Sequence, residues 1–422
     1  MHPIYRILSQ SSKKKTIKLG EFIIIDVDLA EINDLYLQIL LSFQEMNGKK
    51  VWNPEKVFFV MDHYAPAPNI KAAENQKRMR EFSITQGINN FFDINRGVCH
   101  QVMPEAGLVF PGMVLVATDY HTTTHGAFGA FSTGVGATDM AAILLTGKMW
   151  IRTPEIIKIN IAGEIKKGVM AKDIMLYIIS QLGIDAALYK VIEYSGDTVK
   201  NMPLDERLVL CNMSVEMGAK GTYIKPDKKV YRYLLDMKTE KYKKFKTIED
   251  SDGKTIDNYE SIYQFDISSL EPQVSLPHSV DKAINVSQIS GEPIQQALIG
   301  TCTGGRLNDL KIASKILKGK KIDSSVILLV IPVSHKILQM SIEKGYIQTL
   351  LESGAALATP SCGPCLGAHE GVLASGESCI SASSRKFPGR MGSKDAKIFL
   401  ASPAIVAASA IKGIIVDPRE FL

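Results

Sequence analysis

The feature that most constrains this chain is the alternation of strand and helix signals in its last third. Ser325-VILLVIPV-Ser334 is a short unbroken apolar run and reads as a buried strand. A helical stretch follows from His335, with Ile337, Leu338, Ile342, Ile347 and Leu350 on one face, and Gly354 stops it. A second strand-sized segment starts at Ala355, and Ile398-FLAS followed by Pro403-AIVAASAIKG repeats the order. Strand, helix and strand in succession predict an α/β fold with mostly parallel sheets flanked by helices. In such sheets ligands gather where loops leave the C-terminal ends of the strands.

The first half alternates too. Lys56-VFFVMDH reads as a strand, Ile70-KAAENQKRMREFSITQG as a helix, and Val114-LVATDYH as a strand running into a polar turn. The charged stretch from Lys238 to Asp252 reads as a solvated loop or helix. Leu270 to Lys282 carries two prolines and no clear period, which places the main boundary near residues 270–285. The expected organisation is residues 1–280 as two interlaced lobes and 281–422 as a third.

A length of 422 residues suits two or three domains, and 45% apolar with 22% charged residues is ordinary for a soluble globular protein. A net charge of +5, from 49 basic against 44 acidic residues, is too diffuse to argue a nucleic-acid partner. The most apolar runs are strand-sized, so no membrane span is expected. The N-terminus lacks the pattern of a signal peptide. Six cysteines in so long a chain do not suggest a disulfide scaffold, and a reducing cytoplasm is the expected setting.

Cys362-Gly-Pro-Cys365 therefore reads as a pair of ligands or redox groups, and Cys302 in Ile299-GTCTGGR offers a third thiol in a second Gly/Thr-rich loop. A thioredoxin-like pair should follow the first strand of a compact domain, whereas this one lies near the end of a long chain. Zinc needs four ligands, and His369 could complete Cys-x2-Cys-x3-His. Three thiolates on a [4Fe–4S] cube would leave one iron open as a Lewis acid. Spacing alone leaves all three open. Cys99, Cys211 and Cys379 read as small buried hydrophobes.

Taken together, Gly97-VCHQVMPE, Asp119-Tyr120-His121-Thr122, Thr124-HGAFGAFSTGVGATDMA, Cys211-NMSVEMGAK, Ile299-GTCTGGR, Ser361-CGPCLGAHEG, Arg385-KFPGRMG and Ile414-IVDPREF resemble the aconitase superfamily, in the family's order over nearly the whole chain. The length and the HGAFGA and CHQV spellings are most similar to the stand-alone large subunits of 3-isopropylmalate dehydratase and homoaconitase. The resemblance implies a three-lobed α/β large subunit with a [4Fe–4S] cluster in the inter-lobe cleft, ligated by Cys302, Cys362 and Cys365. It implies a hydro-lyase that moves a hydroxyl between neighbouring carbons of a polycarboxylate. The reading it favours is interconversion of 2-isopropylmalate and 3-isopropylmalate in leucine biosynthesis. Homoaconitase or another alkylmalate dehydratase is the alternative, and a non-catalytic cluster-binding or RNA-binding paralogue is the alternative of another class.

Three acid–histidine couples match family positions: Asp62 with His63, which would protonate the leaving hydroxyl, Asp119 with His100, and Glu216 with His121. In each, a carboxylate can fix the imidazole tautomer and raise its pKa. His125 is expected only to pack a glycine-rich turn. Arg385 and Arg390 match arginines near the substrate, where a planar fork suits carboxylates. Arg306 is expected on the surface.

The chain also departs from the family. Tyr120 replaces a serine in Asp-Ser-His-Thr, Gly304 an asparagine after Cys-Thr, Ser384 and Lys386 the asparagines flanking Arg385, and Asn33-Asp34 part of a His-Asp-Gly-Thr-Thr stretch. These changes predict an altered pocket, with Tyr120 and Ser384 as substrate contacts, around an intact cluster site. No YGSGSSRE-like segment occurs, so the resemblance implies a separate small subunit carrying a swivelling domain.

Overall fold

The computed structural model describes residues 1–34, 36–237 and 259–422. The charged stretch from Lys238 to Asp252 lies outside the described residues.

The alternation in the sequence becomes three main sheets. The first has five parallel strands in the order Phe91–Phe92, Val57–Val60, Leu29–Asn33, Val114–Ala117 and Phe131–Gly134. The second has four parallel strands, Gly221–Tyr223, Val191–Ser195, Ile156–Ala162 and Ser261–Asp266. The third has seven strands. Its parallel part runs Lys397–Ala401, Ser378–Ser381, Gln296–Gly300, Ile327–Ile331 and Ala356–Leu357. The segment read as aperiodic supplies Gln273–Ser275, and Ala283–Asn285 just beyond it pairs antiparallel with that strand at one edge. A separate antiparallel ribbon joins Phe22–Asp26 to Lys148–Arg152.

Parallel strands covered on both faces are near-continuous apolar runs. In the first sheet, Val57 and Phe59 join one hydrophobic core, while Phe58 and Val60 join the other. Val114 and Val116 divide from Leu115 and Ala117 in the same way. The period of two sends neighbouring side chains to opposite faces, so this sheet is a partition between two cores. Phe58 and Phe59 have no exposed surface, and each contributes about 1.5–3 kcal/mol by burial.

The helix Ile70–Gln86 begins where Asn69 Oδ1 accepts the Ala72 N–H at 2.9 Å, and it ends at Gly87, whose φ of 70° suits a residue without a Cβ. The expected single helix from His335 is two helices, His335–Glu343 and Tyr346–Glu352. Gly345 between them takes φ 73° and donates its N–H to Ile342 O, a left-handed turn that breaks the ladder. Among the described residues no helix is long and apolar enough to cross a membrane.

The first and third sheets aim their C-terminal ends at one place. Val57–Val60 runs into Asp62 and His63, and Val114–Ala117 into Asp119 and His121. From the third sheet, Gln296–Gly300 runs into Cys302 and Ser378–Ser381 into Ser384 and Arg385. Ala356–Leu357 leads to Cys362, which caps the 3-10 turn Gly363–Leu366, and to Cys365 within that turn.

Candidate active site

These loops enclose a cavity of about 190 Å³ lined by His63, His100, Asp119, Tyr120, His121, Cys302, Cys362, Cys365, Ser384, Arg385 and Arg390, among others. Asp62 and Glu216 stand behind that lining, each bonded to an imidazole. A larger cavity of about 490 Å³ lies beside the helix Leu307–Leu317, but its lining of Lys311, Lys315, Lys318, Lys344 and neighbours offers no acid–imidazole pair. Size does not choose the site here; the convergence of titratable groups does.

One wall is made of imidazoles and carboxylates. His63 Nδ1 lies 2.7 Å from Asp62 Oδ1, and its Nε2 lies 3.5 Å from Asp119 Oδ2. His100 Nε2 is 3.4 Å from Asp119 Oδ1, and His121 Nε2 is 3.2 Å from Glu216 Oε1. All three couples exist as contacts. Asp119 is more than one half of a couple, because His121 Nδ1 also approaches it at 3.3 Å and its Oδ1 accepts the His121 N–H at 2.7 Å. It is the hub of the wall.

Burial alone would lower the pKa of His63, but Asp62 and Asp119 more than offset that and hold it well above its ordinary value. His121 is raised for the same reason, through Asp119 and Glu216 acting against burial. Burial would raise Asp119, yet the surrounding His100, His121 and His63 hold it well below the usual carboxylate range. Glu216 is lowered against burial by His121 and Arg385, whose Nε donates to Glu216 Oε1 at 2.9 Å.

The other wall carries the thiols. Cys302 and Cys365 are buried and Cys362 is partly exposed. Cys365 donates its N–H to the Cys362 carbonyl at 3.2 Å, and Cys302 donates to Asn212 Oδ1 at 3.6 Å. Among the described residues, ligand-type atoms lying within 4.8 Å of one another form the trios Cys99–His100–Asp119 and Asp34–Asp62–His63, and the three cysteines are not such a trio. Tetrahedral zinc would draw thiolates to about 3.8 Å from one another. His369 is engaged elsewhere, with Nε2 3.1 Å from His63 O and Nδ1 3.5 Å from Glu370. The walls meet at Asp62, whose carbonyl accepts the Cys362 N–H at 2.7 Å and whose Oδ2 accepts the Cys99 N–H at 2.8 Å.

The departures from the family separate by place. Tyr120, with 58% of its surface exposed, stands at the cavity mouth, and the Ser384 hydroxyl sits 3.1 Å from His121 Nε2 and 3.8 Å from Cys302 Sγ. Gly304 and Lys386 do not line the cavity. A Cβ on Gly304 would fall 2.4 Å from the Ala382 Cβ, and the Lys386 ammonium donates to Leu276 O. Asp34 takes the N–H groups of His63 and Tyr64 at 2.8 and 2.7 Å, fixing the loop that presents the imidazole. Arg390 stacks over Phe387, 5.4 Å from the ring centre, and its buried Nε has no hydrogen-bond partner.

Arg306 corrects the expectation of a surface residue. It is fully buried, because its guanidinium donates to the Cys302 carbonyl and, at 3.3 Å, to Gln101 Oε1. His125 is buried without a partner on either nitrogen, its ring 5.9 Å from that of His100. Burial, with His100 and Arg306 nearby, holds its pKa well below the ordinary value. Two buried groups escaped the sequence reading altogether. Glu31, beside Asp62 and Asp119, is raised well above the carboxylate range by burial and those neighbours. Lys172 lies under the cysteine loops, and burial pushes its ammonium down to about 8. The signal for Lys172 was present: it shares a helical face with Met175, Leu176 and Ile179, all buried.

A family model described as the aconitase family (aconitate hydratase) matches residues 6–293 and 286–413. The chain is 45% identical over 423 residues to 3-isopropylmalate dehydratase large subunit 1 of Methanopyrus kandleri, covering 99% of this chain and 98% of that one. It is 44% identical over 414 residues to a probable 3-isopropylmalate dehydratase large subunit of Methanothermobacter thermautotrophicus, covering 98% and 97%. It is also 42% identical over 425 residues to a probable methanogen homoaconitase large subunit of the same organism, covering 100% and 98%.

Proposed function

Since the chain belongs to the aconitase family of hydro-lyases, we propose that it is the cluster-bearing large subunit of an enzyme that interconverts 2-isopropylmalate and 3-isopropylmalate by dehydration and rehydration. The observation that carries this reading is the single cavity that collects three thiols, the imidazoles of three acid–histidine couples and two arginines. The dehydratase large subunits it resembles over nearly their full length support the substrate class. Similarity at 42% to a homoaconitase large subunit favours a second reading, in which the substrate carries a longer acidic arm.

The donor set fits a [4Fe–4S] cluster better than one metal ion. The three thiols share a cavity without closing to the spacing of a mononuclear site. Cys302, Cys362 and Cys365 would hold it, and it supplies a Lewis acid for a hydroxyl that is otherwise a poor leaving group. The rest is the work of this chain. His63, kept protonated by Asp62 and Asp119, presents a proton at the cavity wall for the departing hydroxyl. Arg385, braced by Glu216, and Arg390 offer guanidinium forks to the substrate carboxylates. Asp119 fixes His63, His100 and His121 relative to one another, so the proton carriers are positioned before substrate arrives. A separate small subunit completes the site, as the names of the relatives and the missing serine motif suggest.

The test is anaerobic reconstitution with iron and sulfide, then assay with the small subunit against isopropylmalates, homocitrate and related alkylmalates. Turnover of isopropylmalate in preference to homocitrate is the expected result. Preference for homocitrate moves the reading to homoaconitase, and an intact cluster with no turnover of any substrate overturns both.

A further inference from the structure

Lys172 is the second residue of the helix Ala171–Leu182, and only 1% of its surface is exposed. Its ammonium donates to Thr303 Oγ1 at 2.9 Å, to Ser383 O at 2.7 Å and to the Ala382 carbonyl. Thr303 follows Cys302, and Ala382 and Ser383 precede Ser384 and Arg385. One side chain thus ties a cysteine loop to the loop that carries the substrate arginine, and it comes from neither.

Its acceptors are unusual for a buried cation. Among the described residues they are all neutral oxygens, whereas a buried charge is normally paired. The two closest-acting carboxylates are committed elsewhere. Asp173 accepts the Met170 and Gln273 N–H groups, and Asp309 accepts that of Arg306. Burial also pushes both toward neutrality, Asp173 up to about 7 and Asp309 up to about 8. The electrostatic attractions on Lys172 come from Cys302 first, then Asp309, Cys365 and Asp173. The other buried cation nearby, Arg306, donates to the Cys302 carbonyl and to Gln101 Oε1, and its charge favours the Cys302 thiolate against burial, but unlike Lys172 it has no hydrogen bond to the Ser384–Arg385 loop.

We propose that Lys172 is the internal counter-ion of the three-thiolate site, a positioning residue that clamps the Cys302 loop to the Ser384–Arg385 loop and balances the charge held between them. This rests on the cluster reading above. A dipositive cube on three thiolates is a net anion, and burying it in low dielectric is costly without an opposite charge close by. Lys172 is held behind the ligands, where it cannot compete with substrate for the open side of the cavity. The arrangement explains why an ammonium is kept there at the expense of desolvation.

The experiment compares the full chain with Lys172→Met, Lys172→Gln and Lys172→Arg, first as apo-proteins and then after anaerobic loading with ferrous iron and sulfide. Apo-proteins of the neutral variants are expected to melt within about 4 °C of the parent. Once loaded, they should lose iron to a chelator about 10- to 100-fold faster, the range seen when groups supporting metal ligands are removed. Their cluster midpoint potential should move to more negative values, because reduction adds charge to a site that has lost one of its buried cations, and Lys172→Arg should restore it. Neutral variants with unchanged iron loss and potential overturn the proposal. So do neutral variants whose apo-proteins fail to fold, since Lys172 is then a structural clamp only. A parent chain that takes up no iron and sulfide defeats the cluster reading itself, before any variant is compared.

Discussion

The two walls of the cavity handle buried charge in opposite ways. On the imidazole wall the chain is self-sufficient: His63, His100 and His121 each meet a carboxylate within 3.5 Å, and Arg385 meets Glu216. On the thiol wall a buried ammonium meets only neutral oxygens, beside three cysteines that can each carry negative charge. The first wall is preorganised by protein–protein pairing and should keep its shape with or without a cofactor. The second has the charge pattern of a socket. On the proposed function, proton transfer and metal retention would be separable, with the two walls joined through the Asp62 backbone.

The largest effect should come from emptying the socket. Cys302→Ser is expected to abolish bound iron–sulfur and all turnover, read by metal analysis and activity, while the imidazole wall keeps its pairing. Retention of a full cluster with activity would collapse the distinction at once. The converse variant, Asp62→Asn, should retain iron at parental stoichiometry yet lower kcat about 10²- to 10⁴-fold, because His63 loses the partner that keeps it protonated. Arg385→Lys replaces a planar fork with a point charge and loosens Glu216; kcat/KM should fall about 10- to 100-fold with cluster content unchanged. Tyr120→Ser, at the exposed mouth, should alter the ratio of kcat/KM between alkylmalates by about tenfold and leave the melting temperature within about 1 °C.

The smallest effect is in the pH dependence of apo-protein stability. Asp119 is depressed below its ordinary value near 3.8, so its contribution is present above that value and fades as pH falls through the lowered one. His63 and His121 are raised, so theirs is complete below about pH 6.5 and fades as pH climbs through their higher values. The imidazole wall should be strongest between about pH 4 and 6.5. Asp119→Asn should flatten that maximum in a plot of melting temperature against pH, whereas Lys172→Met should leave it in place.

Much of this was legible because the chemistry sits in loops that follow strands. A strand signal such as Lys56-VFFVMDH delivers Asp62 and His63 to a sheet's C-terminal end, while the acid–histidine couples came from the resemblance to the family's motifs. Arg306 was misread because its acceptors are the Cys302 carbonyl and Gln101, and a carbonyl leaves no mark in the residue alphabet. The apolar face around Lys172 signalled its burial, but not its partners, which lie 131 to 211 residues away and of which two are main-chain oxygens. The break at Gly345 was visible as a residue, but the apolar spacing on either side continued through it and concealed the turn.

By itself the sequence determined the α/β alternation, the loops that carry function and the chemical kinds gathered in them, because periodicity and residue type are local properties. Only the tertiary structure decided that Asp119 serves three histidines, that Gly304 and Lys386 stand outside the cavity while Tyr120 and Ser384 line it, and that a lysine from a distant helix reaches the residue next to Cys302. Those facts depend on which sheet edges meet, and electrostatic pairing across a buried cleft is set by distance and desolvation, neither of which a linear spacing contains.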